Sequence, residues 1–235
     1  MHQESWLVEL IGSERDLIDF TRWFPDEPAK VQKDGESFFL SGDLFRGLKE
    51  HADVRSAAEN EIKLMSAAVK LNCGGLTLRP ELGAIYRIDS VGARHAYAHG
   101  CNLVVKTGIE IRVFDDPNQR PTAMQKCVQA SRRNKSLNMA MILWADNNRT
   151  WPRLYRILEE VEHAFNGQKL HKIGLLSKTE YDRFKHSANC HEIAGVDSRH
   201  GPNGHQPPKH PMTIYEAESF ISNLLGHALS RDEDA

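Results

Sequence analysis

The sequence predicts an α+β protein in two parts: an antiparallel sheet with accompanying helices over residues 1–116, then a helical bundle over residues 120–235. Three observations carry this. Short apolar runs at strand spacing recur up to Phe114, and beyond Asp115 that pattern stops and the helical period takes over. Between the two, Asp115-Asp116-Pro117-Asn118-Gln119-Arg120-Pro121 has the composition of a linker. At 235 residues, with 40% hydrophobic content, the chain is long enough for one large or two modest cores.

Taken in order, Ser5–Gly12 is apolar, alternates and stops at Gly12-Ser13, which reads as a first strand. Ser13 with Glu14 and Asp16 offers an N-terminal cap, and Leu17, Phe20, Trp23 and Phe24 follow at helical spacing. Val31 and Phe38–Leu40 read as a hairpin around Asp34-Gly35, a pair that tolerates the positive φ of tight turns. Asp43–Asn72 reads as one or two amphipathic helices stopped by Gly74-Gly75. The runs Leu76–Arg79, Ala84–Asp89, Arg94–His99 and Leu103–Phe114 then read as hairpin-spaced strands. In the second part, Ala123–Arg133, Leu137–Ala145, Trp151–Phe165, Thr179–Cys190 and Tyr215–Leu229 read as helices. Thr213-Ile214-Tyr215-Glu216 is a capping box at the start of the last one.

Charge is balanced, 30 basic against 32 acidic residues, so no global field draws the chain to nucleic acid or an anionic membrane. Any such contact needs a local patch. The best is Lys126 with Arg132, Arg133 and Lys135, which could touch phosphate, although short basic runs are more often solvated surface. The four cysteines form no close pairs, the N-terminus has no secretory pattern, and no apolar run is long enough for a membrane span. A reduced, cytoplasmic protein is the expectation. Gly74-Gly75 lacks the lysine and helix of a phosphate-binding loop, so no cofactor is expected.

The chemistry-bearing stretch is Arg183–His210, with five histidines, two arginines and Cys190 between helical segments. Arg199-His200-Gly201-Pro202-Asn203-Gly204-His205 sets an arginine, a polar position and a closing histidine in one short span. Arg183 with Asn189 and His191 repeats that spacing more loosely, one residue too long. On these motifs the helical half resembles the HEPN superfamily. That family is common in bacterial defence and toxin systems, and its active members are metal-independent ribonucleases working as dimers.

The resemblance implies a homodimer that cleaves or binds RNA, with Arg199, His200, His205, Arg183, Asn189 and His191 as catalytic candidates and no metal. Histidine would move the proton of the 2′-hydroxyl and arginine would hold the phosphate. The chain departs from the family where Gly201, Pro202 and Gly204 would break the helix that carries the motif. The closing part, Ala194–Gly201 followed by Met212–Leu225, is also similar to that of uncharacterised bacterial proteins, which implies no activity.

Other readings of the same residues stand beside this one. Arg183 and Arg199 could bind helix-end carbonyls or the acidic Glu159–Glu162 face, Asn189 could cap, and His200 could be a satisfied interhelical histidine; His205 and His210 would then be solvated. Cys190 and His191 with His186 and His200 could instead ligate zinc, although no finger spacing is present. In the sheet, Tyr86, Arg87, Asp89, Arg94, His95 and His99 could line a groove or simply face solvent. The expectation is therefore an RNA-cleaving or RNA-binding protein; the alternative is a non-catalytic module that forms a homodimer and recognises a protein or small-molecule partner.

Overall fold

The computed structural model describes residues 5–76, 79–91, 93–97, 120–198 and 206–233. It shows the expected α+β fold, a five-stranded antiparallel sheet followed by a helical region. The elements are β1 (Ser5–Ile11), α1 (Glu14–Trp23), β2 (Lys30–Asp34), β3 (Ser37–Ser41), α2 (His51–Cys73), β4 (Glu81–Ile88) and β5 (Arg94–Tyr97). After them come α3 (Arg120–Arg133), α4 (Lys135–Trp144), α5 (Trp151–Ala164), α6 (Lys178–Asn189), the short α7 (His191–Ala194) and α8 (Ile214–Glu233). Two compact units divide between Gln125 and Lys126.

Local signals explain several element ends. Ser13 caps α1, its side chain accepting from the Asp16 N–H. Gly74, at φ 79°, takes the left-handed conformation that stops α2, and Gly35, at φ 60°, does the same for the β2–β3 turn.

Three expectations change, and a fourth is not met by the described residues. The helix expected from Asp43 begins only at His51, because Asp43–Phe45 is a single 3-10 turn and Gly47 then turns the chain with φ 82°. Leu76 and Arg79 belong to no strand. Helix α3 already includes Arg120 and Pro121 of the expected linker, since proline in a first turn gives up no helical hydrogen bond. The expected strand Leu103–Phe114 and Asp115–Gln119 lie outside the described residues, as do Ala98 and His99 at the end of the expected Arg94–His99 strand.

In the first unit the strand order is β2-β3-β1-β4-β5. Val8 faces Leu40 and Ile85, and Leu10 faces Phe38, so these side chains share the more deeply buried face; α1 packs on β2 and α2 on β4 and β1. The opposite face carries Leu7, Phe39, Ser41 and Tyr86. Across it, Arg94 of β5 lies 5.8 Å from the Phe39 ring and pairs with Asp34 of β2 at 2.5 Å. Strands at opposite ends of the sheet order thus approach one another over this face, which is therefore concave. Between Val8 and Leu10 a bulge lets the Glu9 carboxylate accept from Ala84 N–H and Ser37 Oγ, each at 3.3 Å.

In the second unit α5 is the hub. Its Leu154, Ile157, Leu158 and Val161 are buried, and it packs against α4, α6 and α8. Phe184 of α6 is fully buried and stacks on Phe220 of α8 at 5.1 Å. Among the described residues no helix is long and apolar enough to cross a membrane.

Candidate functional site

Helix α6 carries the start of the polar stretch. It forms because Ser177 caps it, accepting from Glu180 N–H at 3.1 Å, and because Phe184 and Ala188 give it a face to bury. Arg183, beside Phe184, is left at the helix rim with its side chain 31% exposed. From there Nε donates to the carbonyl of His210 at 2.7 Å, and Nη2 donates to the carbonyl of Pro211 at 3.0 Å and to Glu216 Oε1 at 2.9 Å. One turn on, Ser187 Oγ donates to the Arg183 carbonyl and accepts from the buried Met212 N–H, both at 2.9 Å. Together these bonds strap the chain before α8 onto α6.

The strap ends in the capping box foreseen from sequence. Glu216 Oε2 accepts from Thr213 N–H at 2.7 Å, and Thr213 Oγ1 accepts from Glu216 N–H at 3.2 Å. The Thr213 N–H, then the Arg183 guanidinium, hold the Glu216 carboxyl below its usual range. Of the alternatives for Arg183, binding backbone carbonyls is the one seen, but at the entry of α8 rather than at a helix end.

Asn189 lies six positions after Arg183 on α6, about 120° around the axis, so the two side chains leave the helix on different faces. Asn189 Oδ1 is shielded from solvent and, among the described residues, has no hydrogen-bond partner. His191 opens α7, half-buried, after Cys190 turns the chain into extended backbone. Arg199, His200 and His205 lie outside the described residues. For the zinc reading, His186 is exposed while Cys190 is fully buried, and among the described residues no three metal-ligating groups converge.

The basic cluster is split by helix geometry. Lys126 and Arg133, seven apart on α3, share a face and are exposed, whereas Arg132 is half-buried. Lys135 is exposed on the first turn of α4, beyond the Asn134 cap. The sheet residues are divided by register: Tyr86 and Arg94 fall on the concave face, Arg87 and His95 on the other. His95 Nε2 is 2.9 Å from Asp89 Oδ2.

Two arrangements have no clear sequence signal. On the second unit, Tyr181 donates to Glu162 and Lys185 donates to Tyr181 Oη at 3.0 Å, with the Lys185 ammonium over both the Tyr181 and Tyr155 rings. Burial first, and the Glu162 bond second, push the Tyr181 hydroxyl pKa up. On the first unit, a cavity of about 320 Å³ opens at the end of the concave sheet face remote from Asp34. Leu7, Glu27, Lys30, Gln32 and Ser41 line it along with most of the turn that starts at Gly42. It depends on strand register, and a linear sequence shows no register. Compared with known proteins, the chain matches no family model, no curated protein and no solved structure.

Proposed function

We propose that the chain is a non-catalytic binding and assembly module, which forms a homodimer through its helices and recognises a protein or small-molecule partner through its sheet. The observation that carries this reading is the use made of Arg183. A cation that stabilises phosphate charge in a transition state must aim its donors at the substrate. Arg183 instead aims Nε and Nη2 at two backbone carbonyls and Glu216 of its own unit. Exposed Met139 on α4 and Tyr215 on α8 add apolar surface that a second copy could cover.

The test is RNA incubated with the purified protein, with and without chelator, alongside sedimentation to give the oligomeric state. Intact RNA and a dimer are expected. Metal-independent cleavage, lost in Arg199→Ala or His200→Ala while the fold survives, would replace this reading with the ribonuclease implied by the HEPN resemblance. A monomer would remove the assembly half.

A further inference from the structure

One face of α2 carries Arg55, Glu59 and Lys63 at four-residue intervals, and these three line a second cavity, of about 330 Å³. Arg79, Pro80 and Glu81, at the entry to β4, line it from the sheet side. Its volume falls at the lower end of the range of small-molecule pockets. Arg55 Nη2 donates to the Gly83 carbonyl of β4 at 3.3 Å, so this guanidinium is tied to the sheet before anything binds. Its Nε is shielded from solvent, which leaves the Nη atoms as the donors open to a ligand.

Two observations about charge point to an occupant. The first is that the lining charges are unpaired. Among the described residues, no ion pair joins Arg55, Lys63 or Arg79 to Glu59, Glu81 or any other carboxylate. Spacing alone would allow pairs, since Glu59 stands four residues from both Arg55 and Lys63. At that spacing Arg156 pairs with Glu160 at 2.6 Å and Lys178 with Asp182 at 2.5 Å. In α2 the same spacing leaves the cations to the cavity.

The second observation is depth. Arg55 and Lys63 are half-buried, whereas Arg79, Glu59 and Glu81 are exposed. The inner charges are therefore both positive, and the two carboxylates stand at the rim. Exposed carboxylates can turn to water and are screened there, so they oppose a bound anion weakly. The half-buried cations have given up part of their hydration and have no anion in exchange.

The class of anion follows from the count. A single carboxylate brings one charge to two inner cations. A phosphate monoester carries about two at neutral pH, and its three oxygens accept from an ammonium and a guanidinium together. Eight residues of helix separate Arg55 from Lys63 by about 12 Å along the axis, so one phosphate between them is within reach of both extended side chains.

We propose that this cavity takes the phosphate group of a small phosphorylated molecule, with Lys63 and Arg55 as inner donors and Arg79 at the rim. The proposal rests on the reading of the sheet unit as a recognition module. The test is calorimetric titration of the full chain at neutral pH with sugar phosphates and nucleoside monophosphates. The same sugars and nucleosides without phosphate, inorganic phosphate, dicarboxylates and single-stranded RNA are the comparison arms.

At least one phosphate ester is expected to bind one-to-one, more tightly than the same molecule without its phosphate. Lys63→Gln should weaken that binding about tenfold, and Arg79→Gln should weaken it less. Neither should shift the melting temperature without ligand, because neither side chain makes a hydrogen bond or ion pair among the described residues. Glu59→Gln, which removes a rim carboxylate, should tighten binding, and Lys33→Gln, outside the cavity on β2, should leave it unchanged. Unchanged binding in Lys63→Gln, or weaker binding in Glu59→Gln, would overturn the proposal. So would binding by no ester, or tighter binding of inorganic phosphate, a dicarboxylate or RNA than of every ester. None of these outcomes concerns RNA cleavage or the dimer, so failure of the ligand assignment is distinguishable from failure of the module reading.

Discussion

Arg183→Ala is the sharpest perturbation of the second unit, because one side chain makes most of the strap between α6 and α8. The substitution removes two bonds to backbone carbonyls, at 2.7 and 3.0 Å, and an exposed ion pair to Glu216. With the guanidinium 31% exposed, each carbonyl bond falls in the range of an ordinary net hydrogen bond, so the pair is worth about 1–3 kcal/mol. The exposed ion pair adds little to that. At about 4 °C per kcal/mol for a unit of this size, the melting transition of the second unit should fall by about 4–12 °C. Thermal denaturation followed by circular dichroism reads this directly, and hydrogen exchange at the Met212 amide should accelerate alongside it. Arg183→Lys should recover only part of the loss, since an ammonium cannot span both carbonyls as the planar fork does. A shift below about 2 °C, well under the smallest expected, would refute the strap and free Arg183 for a role in binding.

Two further expectations concern the wall of the cavity that Ser41 lines. Gly42→Ala places a Cβ against Glu27 Oε2 and 2.6 Å from the Pro28 carbonyl oxygen, at a φ of 125° that side chains avoid; a loss of about 2–4 kcal/mol in denaturant unfolding is expected, and an unchanged midpoint would contradict the packing described. The Glu27 carboxyl is held below its ordinary value of 4.5, first by the Asp43 N–H and less by Lys30 and Arg46, against an opposing effect of burial. A depressed carboxyl contributes stability that is present above the unfolded value and is lost as pH falls through the folded one. Unfolding measured from neutral pH down through pH 4.5 should therefore show a shallower acid decline in Glu27→Gln than in the wild type, and identical slopes would show that Glu27 does not hold the turn.

What the sequence makes legible here is local. Ser13, Gly74 and the Thr213–Glu216 box act within four residues, and each stands where its spacing puts it. The helical stripe of α5 is equally readable, because one face must be buried whatever it meets. Pro121 misled for the opposite reason, since the same residue suits a linker and a first helical turn. Arg183 stood out as chemically important, but its partners lie 27 to 33 residues away, and nothing nearby shows that it serves backbone carbonyls rather than a ligand. The cavity on the concave face was wholly invisible. Ser41 is a buried hydroxyl without a partner among the described residues only because β3 pairs with β1 and β2 in this register, and a one-residue slip would turn it to the other face.

The strand order also bears on how this chain is made. β1 leaves the ribosome before the other described strands, yet it occupies the centre of the sheet, with β3 on one side and β4 on the other. Its β3 partner follows soon after, but β4 emerges only when the whole of α2 has been synthesised. Until then a nascent β1–β3 pair has an open edge, and the apolar face of α2, with Val54, Ala58, Ile62 and Met65, has no complete sheet to cover. Translation up to Ile88 is thus the interval in which this unit is most exposed to misassociation, and slow decoding between Cys73 and Glu81 would lengthen it.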